Sequence, residues 1–416
     1  MKKPFRYLGI LMILTLTIFS GCEKEPQFDP EEVLVTIDAT GWANGGYDLY
    51  LIVENQLSAA KYYTIVPGEK LTVKRGSSIK GEKVTAHFVS LMTGITDIWK
   101  ITSYYDLPLG LEIPLTTAVT NAQEAKSGSN AGIANITFSD VPAFDIVTRS
   151  AKIPTHSHTL NTLEVPCAAT GGNTFPHNSK FYVSLIKDGL AGYKLITIPE
   201  VSDFVISLAD INTSMTKYSI PKDPGTQPSI TVSGGGNQIF NLQTDLFGGN
   251  DIDVFVPSGL SEMSNFTTTF RKNEGEFDYV SIYGNQTNVP SSYNFLDNAF
   301  SFTKSPGLMP EVTVNETLGD MLYLNIYDET INQWMVFAPD GKSLYVPEFP
   351  ADIIDKFADG FSLAGLLTDY RVIYVNLSDD DRIDNYSESL KYRFSIADLP
   401  LTPYKLRTTT SKIWGN

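Results

Sequence analysis

Histidine and cysteine are scarce in this chain, which has 4 His and 2 Cys among 416 residues. So few cysteines exclude a disulfide-stapled scaffold and a cysteine-rich zinc or iron–sulfur module. Charged residues make up 19% of the chain, below the roughly 25% of an average soluble protein. The 47 acidic and 31 basic residues give a net charge of −16. Because no basic patch is visible, we expect no nucleic-acid partner.

Long hydrophobic runs are also missing after residue 22, where no apolar stretch reaches the roughly 18 residues of a membrane-spanning helix. Aromatic residues, in contrast, are abundant, with 21 Tyr and 23 Phe. Short runs of aromatic and β-branched residues alternate with Gly, Pro, Asn and Asp, a pattern typical of strands and turns. The sequence therefore predicts an all-β fold, and its length predicts two or three domains.

The N-terminus has the organisation of an export signal. Basic residues at positions 2, 3 and 6 precede an apolar core at residues 7–19. That core is shorter than the roughly 20 residues needed to span a membrane. It ends in Phe19-Ser20-Gly21-Cys22, which resembles the lipobox of bacterial lipoproteins, although the family more often has Leu in place of Phe19.

The resemblance implies a lipoprotein whose signal peptide, residues 1–21, is removed and whose Cys22 carries acyl chains such as palmitate. Residues 22–32 would form an acidic tether to the membrane. A short acidic run after the lipidated cysteine resembles the surface-export tag of one group of Gram-negative bacteria. We therefore expect an outer-membrane lipoprotein at the cell surface, with the periplasmic leaflet as the alternative location.

Two breaks divide the rest of the chain. Residues 116–132 are polar and rich in small side chains, as is typical of a linker, and residues 221–228 are rich in proline. The breaks predict one module at 33–115, a second at 133–222, and a β-rich C-terminal region at 228–416 that contains one module or two. Short strands separated by turn signals favour tandem antiparallel β-sandwich modules of the Ig-like type.

Three segments share one pattern: a strand, a turn, a second strand that begins with an aromatic residue, and an apolar-proline pair. They lie at residues 88–108, 182–199 and 323–347. Either tandem repetition of one structural module or the similar composition of unrelated β-strands would explain the likeness. The best helical candidate, residues 351–367, is weakened by two internal glycines.

The four tryptophans divide into two pairs. Trp99 and Trp334 occupy equivalent positions in the repeated pattern, and we expect them in the core. Trp42 and Trp414 are freer to form a platform on which a sugar ring could stack.

One group of residues has the composition of a metal site. His156 and His158 are two positions apart, so they would point to the same face of a strand, and Cys167 and His177 could complete a set of four ligands. Their spacing matches no standard zinc pattern, and the alternative is an exposed histidine pair in a loop.

A second group of residues is a candidate calcium site. Asp379, Asp381 and Asp384 could supply the oxygen ligands that Ca²⁺ prefers. The glycine and the distal glutamate of an EF-hand are missing, and Arg382 interrupts the acidic run. A solvated turn is therefore the alternative interpretation.

The sequence contains no G-x-S-x-G, H-E-x-x-H or P-loop motif. We therefore expect a non-enzymatic binding, structural or adhesion protein of the cell envelope, with a glycan or a protein as its ligand. One alternative is a surface hydrolase that uses paired carboxylates on a β scaffold. A second is an accessory subunit of an outer-membrane uptake complex.

Overall fold

A computed structural model describes most of the chain from residue 28 onwards. The described residues are 28–115 without 44–45, 56–57, 77–78, 80 and 93–94; 132–139, 146–149, 162–167, 180–187, 190–197 and 204–207; and 213–414 without 235–237, 244–250, 258–262, 298, 306–307, 315–319, 329–331, 358–360, 395 and 401. These residues form 25 strands and three short helices. None of the helices described is long and apolar enough to cross a membrane.

The strands are β1 (Val33–Asp38), β2 (Tyr47–Asn55), β3 (Ser58–Ile65), β4 (Lys70–Lys74), β5 (Val84–Met92), β6 (Ile95–Leu107), β7 (Leu111–Pro114), β8 (Gly132–Ser139), β9 (Ile146–Arg149), β10 (Thr162–Cys167), β11 (Lys180–Lys187), β12 (Leu190–Thr197), β13 (Phe204–Ser207), β14 (Thr213–Pro221), β15 (Thr226–Gly234), β16 (Gln238–Gln243), β17 (Asp251–Pro257), β18 (Met263–Glu274), β19 (Phe277–Gln286), β20 (Phe300–Thr303), β21 (Glu311–Val314), β22 (Met321–Tyr327), β23 (Gln333–Ala338), β24 (Val372–Asp380) and β25 (Tyr404–Trp414). The helices are α1 (Ala351–Ile354), α2 (Leu363–Asp369) and α3 (Tyr386–Arg393).

A sheet of 12 strands dominates the fold, in the order β16-β15-β18-β19-β25-β24-β22-β23-β6-β5-β2-β3. Its neighbouring strands are antiparallel except for β6 and β23, which pair in parallel. This parallel pair joins the N-terminal strands of the sheet to its C-terminal strands.

One face of the 12-stranded sheet packs against a second sheet of order β4-β1-β7. Leu51 and Phe88 from the large sheet meet Leu34, Ile37 and Val73 from the small one in a shared apolar core. Period-two alternation along each strand places these side chains between the two sheets, so this part of the molecule is a β-sandwich.

The opposite face of the large sheet is covered by loops, by α1 and α2, and by the β20–β21 hairpin. Leu324, Trp334 and Val375 from the sheet pack against Ile353 and Leu367 from the helices. Ser362 caps α2 by accepting a hydrogen bond from the backbone N–H of Gly365 at 3.1 Å. The predicted helical candidate is thus two short helices separated by a break.

Another sheet lies towards the other end of the large sheet. A five-stranded sheet of order β17-β14-β12-β11-β9 contributes Val254, Val256 and Ile220 to a third core with Phe270 and Tyr279. A three-stranded sheet has the order β10-β8-β13.

A buried set of polar side chains crosses the seam between β6 and β23. His87 lies between Glu54 and Ser103, with its Nε2 3.0 Å from a Glu54 carboxylate oxygen and its Nδ1 2.7 Å from the Ser103 hydroxyl. Trp334 on β23 donates from Nε1 to the same hydroxyl at 2.8 Å. His87, Ser103 and Trp334 are fully buried. We call these four residues the seam network.

The prediction of an all-β fold built from large antiparallel sheets is confirmed. The three segments predicted to resemble one another contain the antiparallel hairpins β5–β6, β11–β12 and β22–β23. Trp99 and Trp334 lie in the core, as expected. Residues 33–115 and the C-terminal region share the 12-stranded sheet through β6 and β23, a pairing that the division into modules did not predict.

Replacing Ser103 with Ala should destabilise the protein. The change leaves the Trp334 Nε1–H and the His87 Nδ1 without their shared partner in the core, and an unsatisfied buried polar group costs about 1–3 kcal/mol. We expect the free energy of unfolding in urea to fall by about 2 kcal/mol or more. The control is Ser301→Ala at an exposed position on β20. Equal unfolding midpoints for the two variants would show that the seam network contributes little to the stability of the fold.

Candidate functional site

On the side of the large sheet that faces away from α1 and α2, α3 packs beside Phe337, and the surface over β22, β24 and β25 is recessed. Along β22, Leu322, Leu324 and Ile326 are fully buried, whereas Tyr323 and Tyr327 are only half-buried. The same alternation runs along β24 and β25. One strand face therefore supplies the core, and the other presents polar and aromatic side chains.

The strand registers align these side chains in rows across the sheet. Three rows are Tyr327, Val372 and Trp414; Asn325, Tyr374 and Lys412; and Tyr323, Asn376 and Thr410. Directly opposed residues have Cβ atoms about 5 Å apart, so each row is a set of side chains in contact range.

Two adjoining cavities lie over these rows, with volumes of about 620 Å³ and about 420 Å³. Tyr323 and Asn376 line both of them, and the volumes are typical of ligand sites, which span roughly 300–1,000 Å³. We call them together the sheet groove. Its aromatic half includes Tyr327, Tyr374, Lys412 and Trp414, and its acidic half includes Asp320, Asp380 and Arg393.

Hydrogen bonds hold the polar side chains of the groove in place. The Gln333 amide donates to Asn325 Oδ1 at 2.7 Å and to the Tyr327 hydroxyl at 2.9 Å. Asn325 Nδ2 donates to the same hydroxyl at 2.7 Å, and Asn376 Nδ2 donates to Thr410 Oγ1 at 2.5 Å. These bonds fix the orientations of the side chains, which lowers the cost of ordering them on binding.

The aromatic half presents rings together with a cation. The Trp414 side chain is 59% exposed, the most exposed tryptophan that the structure describes. Lys412 Nζ lies 3.7 Å from the centroid of the Trp414 ring and 5.4 Å from that of Tyr374. Tyr374 meets Tyr327 edge to face at 6.1 Å. This half therefore combines flat apolar surface with one positive charge.

Asp320 and Asp380 are the two carboxylates that line the acidic half. Burial has the largest effect on Asp320 and, together with the charges of Asp379 and Asp380, raises its pKa to about 6. A hydrogen bond from the backbone N–H of Asp380 acts in the opposite direction and lowers the pKa. That N–H lies 2.6 Å from Asp320 Oδ2. The Asp380 carboxylate is bonded by Arg382 at 2.8 and 2.6 Å. Both carboxylates therefore already have partners within the protein.

The structure shows little of the predicted lipid and zinc sites. Cys22, His156, His158 and His177 lie outside the described residues. Cys167 is the last residue of β10, and only its backbone is described. These assignments stay predictions.

The three predicted calcium ligands do not form a ligand set. Asp379 is paired with Arg407, whose Nη2 lies 2.5 Å from its carboxylate. Asp381 accepts a hydrogen bond from the backbone N–H of Lys405 at 2.9 Å, and Asp384 lies beyond the turn that ends β24. Among the described residues, no group of three or more His, Cys, Asp or Glu side chains is placed to hold a metal ion.

Sequence reasoning singled out Trp414 as a free aromatic residue but missed the rest of the groove. A signal was present: Tyr-Leu-Asn at 323–325 and Tyr-Val-Asn at 374–376 are the same Tyr-x-Asn pattern on two strands. That pattern places a ring and an amide on one face of each strand. The register between β22 and β24 was needed to show that the two faces coincide.

No protein-family model and no curated protein matches this chain. One solved structure, described as a Ca²⁺-stabilized adhesin that helps an Antarctic bacterium reach out and bind ice, aligns over 83% of this chain and 92% of its own. The identity is 10% and the TM-score 0.13. At that TM-score the neighbour assigns neither fold nor function.

Replacing Asp320 with Asn should change stability in a pH-dependent way. A carboxyl whose pKa rises from 3.8 to about 6 on folding holds its proton more tightly in the folded protein. Its contribution to stability is therefore full below about pH 4 and is lost as the pH rises through about 6. Asn is neutral throughout and can still accept the backbone hydrogen bond.

We expect Asp320→Asn to raise the melting temperature at pH 8 and to leave it nearly unchanged at pH 4. The control is Asp369→Asn, at an exposed position in α2, which should show no such trend. A shift of the same size at pH 4 and pH 8 would contradict the assignment to Asp320 ionisation.

Proposed function

We propose that this protein is a lipid-anchored, non-enzymatic binding protein of the bacterial outer membrane, and that its sheet groove binds carbohydrate. The lipobox and the acidic tether support the anchor and the surface location. The observation that carries the binding role is the groove itself, in which Trp414 stands exposed beside Tyr327, Tyr374 and Lys412.

The chemistry of the groove fits a sugar better than an apolar ligand. A sugar ring has an apolar C–H face, which packs on exposed indole and phenol rings, and hydroxyls around its rim. Asn325, Asn376 and Thr410 offer amide and hydroxyl groups at the rim of the rings. A few fixed polar groups around an apolar floor give a ligand its orientation.

The groove also fits an extended ligand. Its two cavities adjoin at Tyr323 and Asn376, and it runs across several strands of a sheet that is itself held by a buried core. A rigid floor of this kind keeps the rings of neighbouring strands in fixed positions. A chain of two or more sugar units could then contact both halves.

Trp414→Ala should weaken binding to a glycan ligand by at least about tenfold, since loss of a stacked ring of this kind costs about 1.4 kcal/mol or more. A glycan array selects the ligand, and calorimetry measures its affinity for both forms. Trp414 is exposed, so we expect the folding to be unaffected.

The matched control is Leu308→Ala, which also removes an exposed apolar side chain, 60% accessible. Leu308 lies away from the groove, because its neighbour Met309 packs in the core on the other face of the sheet. It should leave the affinity unchanged. Equal loss of binding in both variants, or no glycan binding by the unaltered protein, would contradict the proposed site.

The membrane anchor is tested separately through Cys22. Cys22→Ser removes the thiol that would accept the lipid, so the protein should move from the membrane fraction to the soluble fraction of the cell. Cys167→Ser, the matched change at the second cysteine, should leave the protein in the membrane fraction. Retention of the Cys22→Ser variant in membranes would show that the lipobox assignment is wrong.

A further inference from the structure

The aromatic half of the sheet groove holds two cations in a strongly acidic protein. Lys412 and Arg371 line the same cavity, while the whole chain has a net charge of −16. Across the part of the chain that the structure describes, neither side chain takes part in an ion pair. Neither charge is therefore neutralised by a carboxylate of the protein, and both are available to an anionic ligand.

Both cations line the cavity that holds the exposed ring. Lys412 Nζ lies 3.7 Å from the Trp414 centroid. Arg371 directly precedes Val372, which is paired with Trp414 across the sheet. The backbone N–H of Arg371 donates to the Tyr327 carbonyl at 2.8 Å, which fixes the start of β24. A sugar stacked on Trp414 would therefore share its cavity with both positive charges.

The one carboxylate among the lining residues of this cavity is already engaged. Asp328 accepts a hydrogen bond from Asn332 Nδ2 at 3.0 Å. The other carboxylates of the groove, Asp320 and Asp380, line the adjoining cavity. The Trp414 end thus holds two cations and one carboxylate, whereas the other end holds two carboxylates and Arg393.

We propose that the sheet groove binds an acidic polysaccharide, with the ring of a uronic acid stacked on Trp414 and its carboxylate bound by Lys412 and Arg371. This inference rests on the proposed carbohydrate-binding function and names the class of sugar. The guanidinium offers paired donors that match the two oxygens of a carboxylate, and the ammonium adds a point charge. Ion pairs in a partly desolvated groove are worth more than pairs on an open surface.

The test compares two probes that differ only in charge. Oligogalacturonate carries a carboxylate on every unit, and its methyl ester has the same rings without the charge. Calorimetry with the full chain in detergent should show the acid bound at least about tenfold more tightly than the ester, because only the acid forms charge-assisted hydrogen bonds with the two cations. The affinity for the acid should also fall as the salt concentration rises.

The double variant Lys412→Gln, Arg371→Gln should lose the preference for the acid and keep its affinity for the ester. The matched control, Arg271→Gln with Lys391→Gln, removes the same net charge at two exposed positions outside the groove. It should retain the preference.

The outcomes separate the inference from the proposed function. Binding of acid and ester with equal affinity overturns the inference and leaves carbohydrate binding intact, whereas binding of neither probe, nor of any other glycan, overturns both. A preference for the acid that survives in the double variant overturns the assignment to Lys412 and Arg371. A sulfated oligosaccharide without carboxylates that binds as tightly as oligogalacturonate overturns recognition of the carboxylate.

Discussion

The hydrogen bond from Trp334 to Ser103 joins two parts of the chain that are 231 residues apart. A parallel pair such as β6 and β23 cannot be closed by a hairpin and needs a long connection, which here includes the five-stranded sheet. Closing so long a loop has an entropic cost that contacts at the seam must offset. The seam network contributes to this offset, because only in the correct register do His87, Ser103 and Trp334 all find hydrogen-bond partners.

The same register sets the composition of the groove. Trp334 points into the core, so its neighbour Gln333 must point to the opposite face, where it donates to Asn325 and Tyr327. A slip of one residue would exchange the two faces, burying the groove side chains and exposing Leu324 and its neighbours. The register at the seam therefore fixes both faces of the sheet. The polar side chains of the groove are positioned as firmly as the core beneath them.

The local parts of this arrangement could be predicted from the sequence, and the long-range parts could not. Alternation predicted the strands, and position within the repeated pattern placed Trp99 and Trp334 in the core. The pairing of β6 with β23 has no local signal, because nothing near Ser103 identifies a partner more than two hundred residues away. The calcium candidate at Asp379 failed for the same reason, since its partner Arg407 lies on another strand. The groove likewise draws on three strands that meet only in the folded sheet.

The separation of charge along the groove explains how an acidic protein could hold an acidic ligand. Repulsion from the remote carboxylates is screened within about 8 Å at physiological ionic strength, so the nearest groups decide the contact. Around Trp414 those groups are Lys412, Arg371 and the hydrogen-bonded Asp328, whereas Asp320, Asp380 and Arg393 line the far end. A carboxylate at the tryptophan end meets two cations and one aspartate, whereas at the far end it meets two aspartates and one arginine. The groove therefore favours one direction of an asymmetric acidic chain, a preference that follows from where the fold places these charged side chains.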